Sequence, residues 1–94
     1  MLALTDKANP NDDVIVTELD SDEAVLLHLD TKMYFSLNAT GVWIWRQLGN
    51  ELTLGDIVTK LQNEFDVMPD KAKESVINLV EQLQQEQLID IVNA

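Results

Sequence analysis

The chain has 94 residues, 46% of them hydrophobic, which is enough for one modest core and too few for two. It contains no cysteine, which excludes a disulfide framework, thiolate metal ligands and a cysteine nucleophile. Seventeen acidic and six basic residues give a net charge of −11, so the surface repels nucleic acids. No apolar run approaches the ~20 residues that span a membrane, and the first residues do not resemble a secretory signal. We therefore expect a cytoplasmic protein that binds neither nucleic acid nor membrane.

The N-terminal residues differ in pattern from the rest of the chain. Residues 1–13 form a short segment that ends in the turn-forming run Asn9 to Asp13. We expect a flexible N-terminal arm over residues 1–13 and one folded domain over residues 14–94.

Three strand patterns follow one another closely. Val14–Leu19, Glu23–Leu29 and Met33–Leu37 are rich in β-branched, aromatic and aliphatic residues, and short turns separate them. Such tight connections predict an antiparallel meander, because parallel strands need a long crossover. The third predicted strand is then an edge strand, with Met33, Phe35 and Leu37 facing one way and Tyr34 and Ser36 the other.

The second half of the chain has helical periodicity. Asn38 predicts the cap of a short helix to Leu48, Thr53 that of a helix to Phe65, and Pro69 the first turn of a third helix. The core face predicted for the third helix consists of Ala72, Val76, Leu79 and Leu83, with Val80 at its border. The final apolar residues, Leu88–Val92, add a short strand or dock on the core. The sequence predicts an α+β domain of the winged helix-turn-helix type, with a three-stranded antiparallel meander followed by three helices.

The sequence offers no equipment for catalysis. Its single histidine, His28, lies within a predicted strand, where we expect a partly exposed structural residue. The acidic pairs fall in turns, and the three glycines form no phosphate-binding loop. We therefore predict no enzyme activity, no metal site and no cofactor.

Two further features are surface candidates. On the third helix, Ile77 lies off the core stripe, on a side shared with Lys73, Val80 and Gln84. On the first helix, Trp43 points away from the core face, and the pattern leaves open whether it packs in the core or at an interface.

The run from Glu23 to Leu48 resembles the PqqD-like family, and the likeness extends over Val14 to Leu88. The residues that carry it are Val25, Leu26, Leu27, Thr31, Tyr34, Phe35, Leu37, Asn38, Gly41, Ile44, Trp45 and Leu48. Two positions depart from the family pattern, because Lys32 and Gln87 stand where glycine is common. If the position of Lys32 needs positive φ, lysine costs ~1 kcal/mol there, or the turn has another shape. Gln87 stands where a glycine often ends the third helix, and we expect it to prolong that helix.

The resemblance implies a non-catalytic peptide chaperone that binds the leader segment of a ribosomally synthesised precursor peptide. The leader would pair with the third strand through Met33, Tyr34, Phe35 and Ser36. It would lie in a groove whose wall is formed by Lys73, Ile77, Val80 and Gln84. The implied partner is a peptide-modifying enzyme or a leader peptidase, as in pyrroloquinoline quinone or lasso-peptide biosynthesis.

Other functions remain open at this level. The domain could be an acidic winged-helix adaptor or a dimerisation module without a leader peptide, because an exposed edge strand can pair with a second copy. A DNA-binding regulator is disfavoured because Lys71 and Lys73 are outweighed by acidic residues on the third helix. An acyl or peptidyl carrier is disfavoured because Ser21 is followed by Asp22 in a predicted turn.

Overall fold

The computed structural model describes residues 2–20 and 22–92. Ser21, the residue considered for the disfavoured carrier hypothesis, lies outside the described residues. In chain order the described elements are β1 (Lys7–Pro10), β2 (Val14–Asp20), β3 (Glu23–His28), β4 (Tyr34–Leu37), α1 (Ala39–Gln47), α2 (Leu54–Phe65), α3 (Pro69–Gln85) and β5 (Ile89–Val92).

Strands β2, β3 and β4 form an antiparallel sheet in that order, which confirms the predicted meander. The faces alternate as the sequence indicates. Along the central strand, Ala24, Leu26 and His28 are buried, whereas the residues between them are only partly covered. The sheet therefore has an inner face that belongs to the core and an outer face that does not.

The three helices cover the inner face, and the α+β architecture predicted from the sequence is confirmed. The side chain of Asn38 accepts a hydrogen bond of 2.8 Å from the N–H of Gly41, which caps α1. Thr53 and Asp56 exchange side-chain and backbone hydrogen bonds in a capping box that starts α2. Leu26, Leu54 and Val76 are among the fully buried residues at which sheet and helices meet. No described helix is long and apolar enough to cross a membrane.

The two ends of the chain pair with each other, which the sequence did not indicate. Lys7–Pro10, assigned above to a flexible arm, forms β1 and pairs antiparallel with β5, which fulfils the strand option for the C-terminal residues. The carbonyl of Leu4 accepts a 2.8 Å hydrogen bond from the N–H of Gly55, at the start of α2. A Cβ at Gly55 would lie 3.2 Å from that carbonyl oxygen, so glycine permits this close approach.

Both departures from the family's glycine pattern have positive φ. Lys32, in the turn between β3 and β4, has φ of 65°, and Gln87 has φ of 61°. Gln87 does not prolong α3, because the helix ends at Gln85 and the N–H of Gln87 bonds the carbonyl of Gln84. Each side chain adds steric strain that glycine would not have.

We predict that Gln87→Gly raises the free energy of unfolding by about 0.5–1 kcal/mol, because it relieves left-handed strain at the end of α3. Chemical denaturation measures the change. The control is Lys73→Gly, in the interior of α3, which should lower stability by about 1 kcal/mol. Equal destabilisation by both substitutions would contradict the account of Gln87.

Candidate functional site

The free edge of β4 is the first component of the site. Among residues 2–20 and 22–92, β4 is hydrogen-bonded to β3 alone, so its other edge has no strand partner there. Tyr34 projects from the outer face with 71% of its surface exposed, while Phe35 on the inner face packs against the core. The paired N-terminal strand β1 lies with β5, in a separate sheet. Another extended chain could therefore continue the three-stranded sheet at β4.

A groove runs beside this edge, between β4, the start of α1 and α3. It has two adjoining parts of about 410 and 290 Å³ that share the lining residues Asn38, Gly41, Leu79 and Gln82. The part at the strand adds Glu23, Phe35, Ser36 and Leu37. The part between the helices adds Thr40, Ile44, Ser75 and Asn78.

The groove is mainly apolar at the strand, and between the helices its lining is mainly polar and uncharged. Phe35 and Leu79 supply apolar surface, whereas Asn78 and Gln82 supply side-chain amides. Glu23 is the one charged side chain in the described lining. Amides both donate and accept hydrogen bonds, so they suit the backbone of an extended peptide.

Gly41 keeps the start of α1 close to the strand. A Cβ at this position would lie 3.1 Å from Cδ2 of Leu37 and 3.3 Å from Oδ1 of Asn38, the atom that caps the helix. A larger residue would push the helix cap and the end of β4 apart. Gly41 therefore preserves the geometry at the junction of the two groove parts.

The predicted strand residues lie at this site. Tyr34, Phe35 and Ser36 are in β4, and Phe35 and Ser36 line the groove. Met33 precedes the strand and is 55% exposed. The carbonyl of Met33 accepts a hydrogen bond from the N–H of His28 on β3, so this carbonyl faces the sheet and not the free edge.

The predicted residues of α3 lie elsewhere. Ile77 and Gln84 line a different depression, together with Leu2 of the N-terminal segment. Val80 has no exposed surface and belongs to the core, which corrects its predicted contact with a peptide. Lys73 is exposed and does not line the groove beside β4.

Helix periodicity explains this difference. At about 100° per residue, a core stripe on a helix has two flanks, and the sequence does not say which flank faces the sheet edge. The flank at β4 carries Leu79 and Gln82, and the flank at the N-terminal segment carries Ile77 and Gln84. No signal in the single sequence distinguishes the two.

His28 is buried, with 3% exposure, and not partly exposed as predicted. Its Nδ1 accepts hydrogen bonds from the backbone N–H groups of Asp30 and Thr31, at 3.1 and 3.3 Å. These bonds give both N–H groups of the turn that leads into β4 a hydrogen-bond acceptor. Within the described residues no group of three or more potential ligands is placed to hold a metal ion.

The sequence left open whether Trp43 packs in the core or at an interface, and the structure places it at the border of the core. Its ring is partly buried and meets Phe65 of α2 edge to face, with the ring centroids 5.7 Å apart. Phe65 itself is 39% exposed. Trp43 thus ties α1 to α2, at the border of the core.

These features define a class of small α+β domain, in which helices cover one face of a three-stranded sheet and a groove borders its open edge. Residues 23–89 match the family model described as "Coenzyme PQQ synthesis protein D (PqqD)", and the chain belongs to this family, as its resemblance predicted. A similar solved structure is "TbiB1 in Complex with the TbiA(beta) Leader Peptide". It is 30% identical, with a TM-score of 0.79, and the match covers 87% of this chain and 94% of that one. No curated protein matches the chain.

We predict that His28→Leu lowers the free energy of unfolding by about 2 kcal/mol, because two turn N–H groups lose their acceptor. His28→Asn should recover part of this loss, since its side-chain oxygen can take the place of Nδ1. Denaturant unfolding measures the stability, and amide hydrogen exchange at Asp30 and Thr31 reports the turn. Unchanged exchange at both amides in His28→Leu would show that the imidazole does not hold the turn.

Proposed function

We propose that this protein binds the leader segment of a ribosomally synthesised precursor peptide as an added strand on β4. It catalyses no reaction itself and presents the peptide to a separate modifying enzyme or leader peptidase. The observation that carries the proposal is the unpaired edge of β4 beside a groove that ends on α3. Because precursor peptides are made on ribosomes, we place this binding in the cytoplasm.

The edge of β4 and the groove make different contributions to peptide recognition. Backbone hydrogen bonds to β4 provide affinity that is largely independent of sequence, while side-chain contacts provide specificity. In an added strand, successive side chains alternate between the two faces. One set would face the apolar surface of Phe35 and Leu79, and the other set would stand beside Tyr34 and Ser36.

The groove supports a revised set of binding residues on α3. Leu79 lines both parts of the groove, and Gln82 does the same. We propose these two residues, together with Asn78, in place of Lys73, Ile77, Val80 and Gln84. Tyr34, Phe35 and Ser36 remain proposed contacts on the strand.

The similarity to TbiB1 supports this function. That protein was solved together with a leader peptide, and the shared fold extends over most of both chains. Binding through a sheet edge and neutral amides needs no titratable group, which agrees with a lining that contains a single carboxylate.

The same edge also fits a second copy of the chain, which is the basis of the dimerisation alternative. Two chains that each carry a net charge of −11 repel each other, which opposes this pairing. For a DNA-binding regulator, repulsion by the phosphates is the corresponding obstacle.

We predict that the protein binds a synthetic leader peptide from a neighbouring precursor gene with a dissociation constant that is roughly micromolar or tighter. Isothermal titration measures it. Gln82→Trp, which fills the groove beside β4, should weaken binding about tenfold or more because the ring occupies the peptide's space.

Gln84→Trp is the matched control, because it makes the same change on the opposite flank of the same helix, and both glutamines are exposed. It should change the affinity less than about twofold. If Gln84→Trp weakens binding and Gln82→Trp does not, the peptide binds on the flank of α3 that carries Ile77. If no leader peptide binds and sedimentation shows a monomer–dimer equilibrium, the result would favour the dimerisation alternative.

A further inference from the structure

The outer face of the sheet carries one row of large apolar side chains that crosses all three strands. Ile15, Leu27 and Tyr34 are directly paired neighbours in one row across β2, β3 and β4. Thr17, Val25 and Ser36 form the adjacent row. We call these six residues the outer sheet face.

No described element covers the outer sheet face. β2 makes its extensive contacts with β3, and none of comparable extent with a helix. Ile15 is 47% exposed and Tyr34 is 71% exposed. Large apolar side chains that lie side by side on an exposed surface are typical of an interface.

The surroundings of this face are strongly acidic. Residues 12–37, which include all three strands, contain seven acidic residues and one lysine, a net charge of −6 for this segment. Glu18 forms a 2.6 Å salt bridge to Arg46 of α1, on the inner side of the sheet. The remaining acids lie in the turns and at the strand ends: Asp12, Asp13, Asp20, Asp22, Asp30 and Glu23, which also lines the groove beside β4.

We propose that the outer sheet face docks the enzyme that processes the bound peptide, through an apolar patch of that enzyme bordered by lysines and arginines. The row of Ile15, Leu27 and Tyr34 supplies the buried centre of the interface, and the acidic border supplies steering and selectivity. A second copy of this chain is a poor occupant, because it would bring one acidic border against another.

This inference rests on the proposed function, because the peptide and the enzyme then share one surface. A leader that pairs with β4 extends the sheet by a fourth strand, and every second side chain of that strand stands beside Tyr34 or Ser36 on the outer face. The enzyme would thus contact protein and peptide together. It follows that peptide and enzyme each increase the affinity for the other by the same factor.

The test titrates each peptide-processing enzyme encoded beside this gene against the full-length protein, with and without saturating leader peptide. We expect the peptide to tighten enzyme binding, and Ile15→Asp to weaken it about tenfold or more. Met68→Asp is the matched control, because Met68 is 74% exposed, precedes α3 and is not part of the outer sheet face. Raising the salt concentration from about 0.05 to about 0.5 M should weaken the wild-type interaction.

The leader peptide is titrated separately against every variant, so that the two proposals can fail independently. Ile15 lies on β2, two strands from the peptide edge, and Ile15→Asp should leave leader affinity unchanged. If the leader binds but Ile15→Asp and Met68→Asp affect the enzyme equally, the docking surface is refuted and the peptide site stands. The docking surface is also refuted if no adjoining enzyme binds the peptide-loaded protein. Enzyme binding that depends on Ile15 without any leader binding would refute the peptide site alone.

Discussion

The whole molecule depends on burying one face of a three-stranded sheet. The central strand β3 contributes Ala24 and Leu26 to the core, and burial of a leucine of this kind stabilises the fold by about 2 kcal/mol. Three strands cannot bury that face by themselves, so α1, α2 and α3 must pack on the same side. The consequences are an outer face that no described element covers and an edge at β4 that has no partner among the described residues. The two surfaces proposed to bear on function follow from this single constraint.

The pairing of the chain ends keeps the edge open. A free N-terminal arm with exposed apolar residues could lie on the nearest unpaired strand, which would occupy the site. Here β1 pairs with β5, and the backbone of Leu4 and Asp6 bonds the first turn of α2. The N-terminal segment is thus held on the flank of α3 that carries Ile77, opposite to the groove. In a chain this short, the same pairing also adds buried residues such as Ala8 and Ile89 to a small core.

Local pattern predicted what local physics determines. The meander, the caps at Asn38 and Thr53 and the alternation of Phe35 and Tyr34 each depend on a few neighbouring residues, and each agrees with the structure. The pairing of β1 with β5 joins the two ends of the chain, where no local signal exists. The burial of His28 depends on its bonds to a turn, which strand alternation does not report. Lys73, Ile77 and Gln84 do not line the groove beside β4, because a helix has two flanks and the sequence does not say which of them faces the strand.

The position of Leu79 shows why it matters for the proposed recognition of a peptide which flank of α3 faces β4. A residue in the centre of the core stripe, such as Val80, fixes the helix but cannot contact a ligand. A residue at the border of the stripe is anchored on one side and exposed on the other, so its position is rigid and its surface is available. Leu79 has this role on the β4 side and packs against the same core as Phe35. Because core packing holds both walls in place, the proposed peptide site would need little reorganisation when a chain enters it, and less ordering entropy would oppose binding.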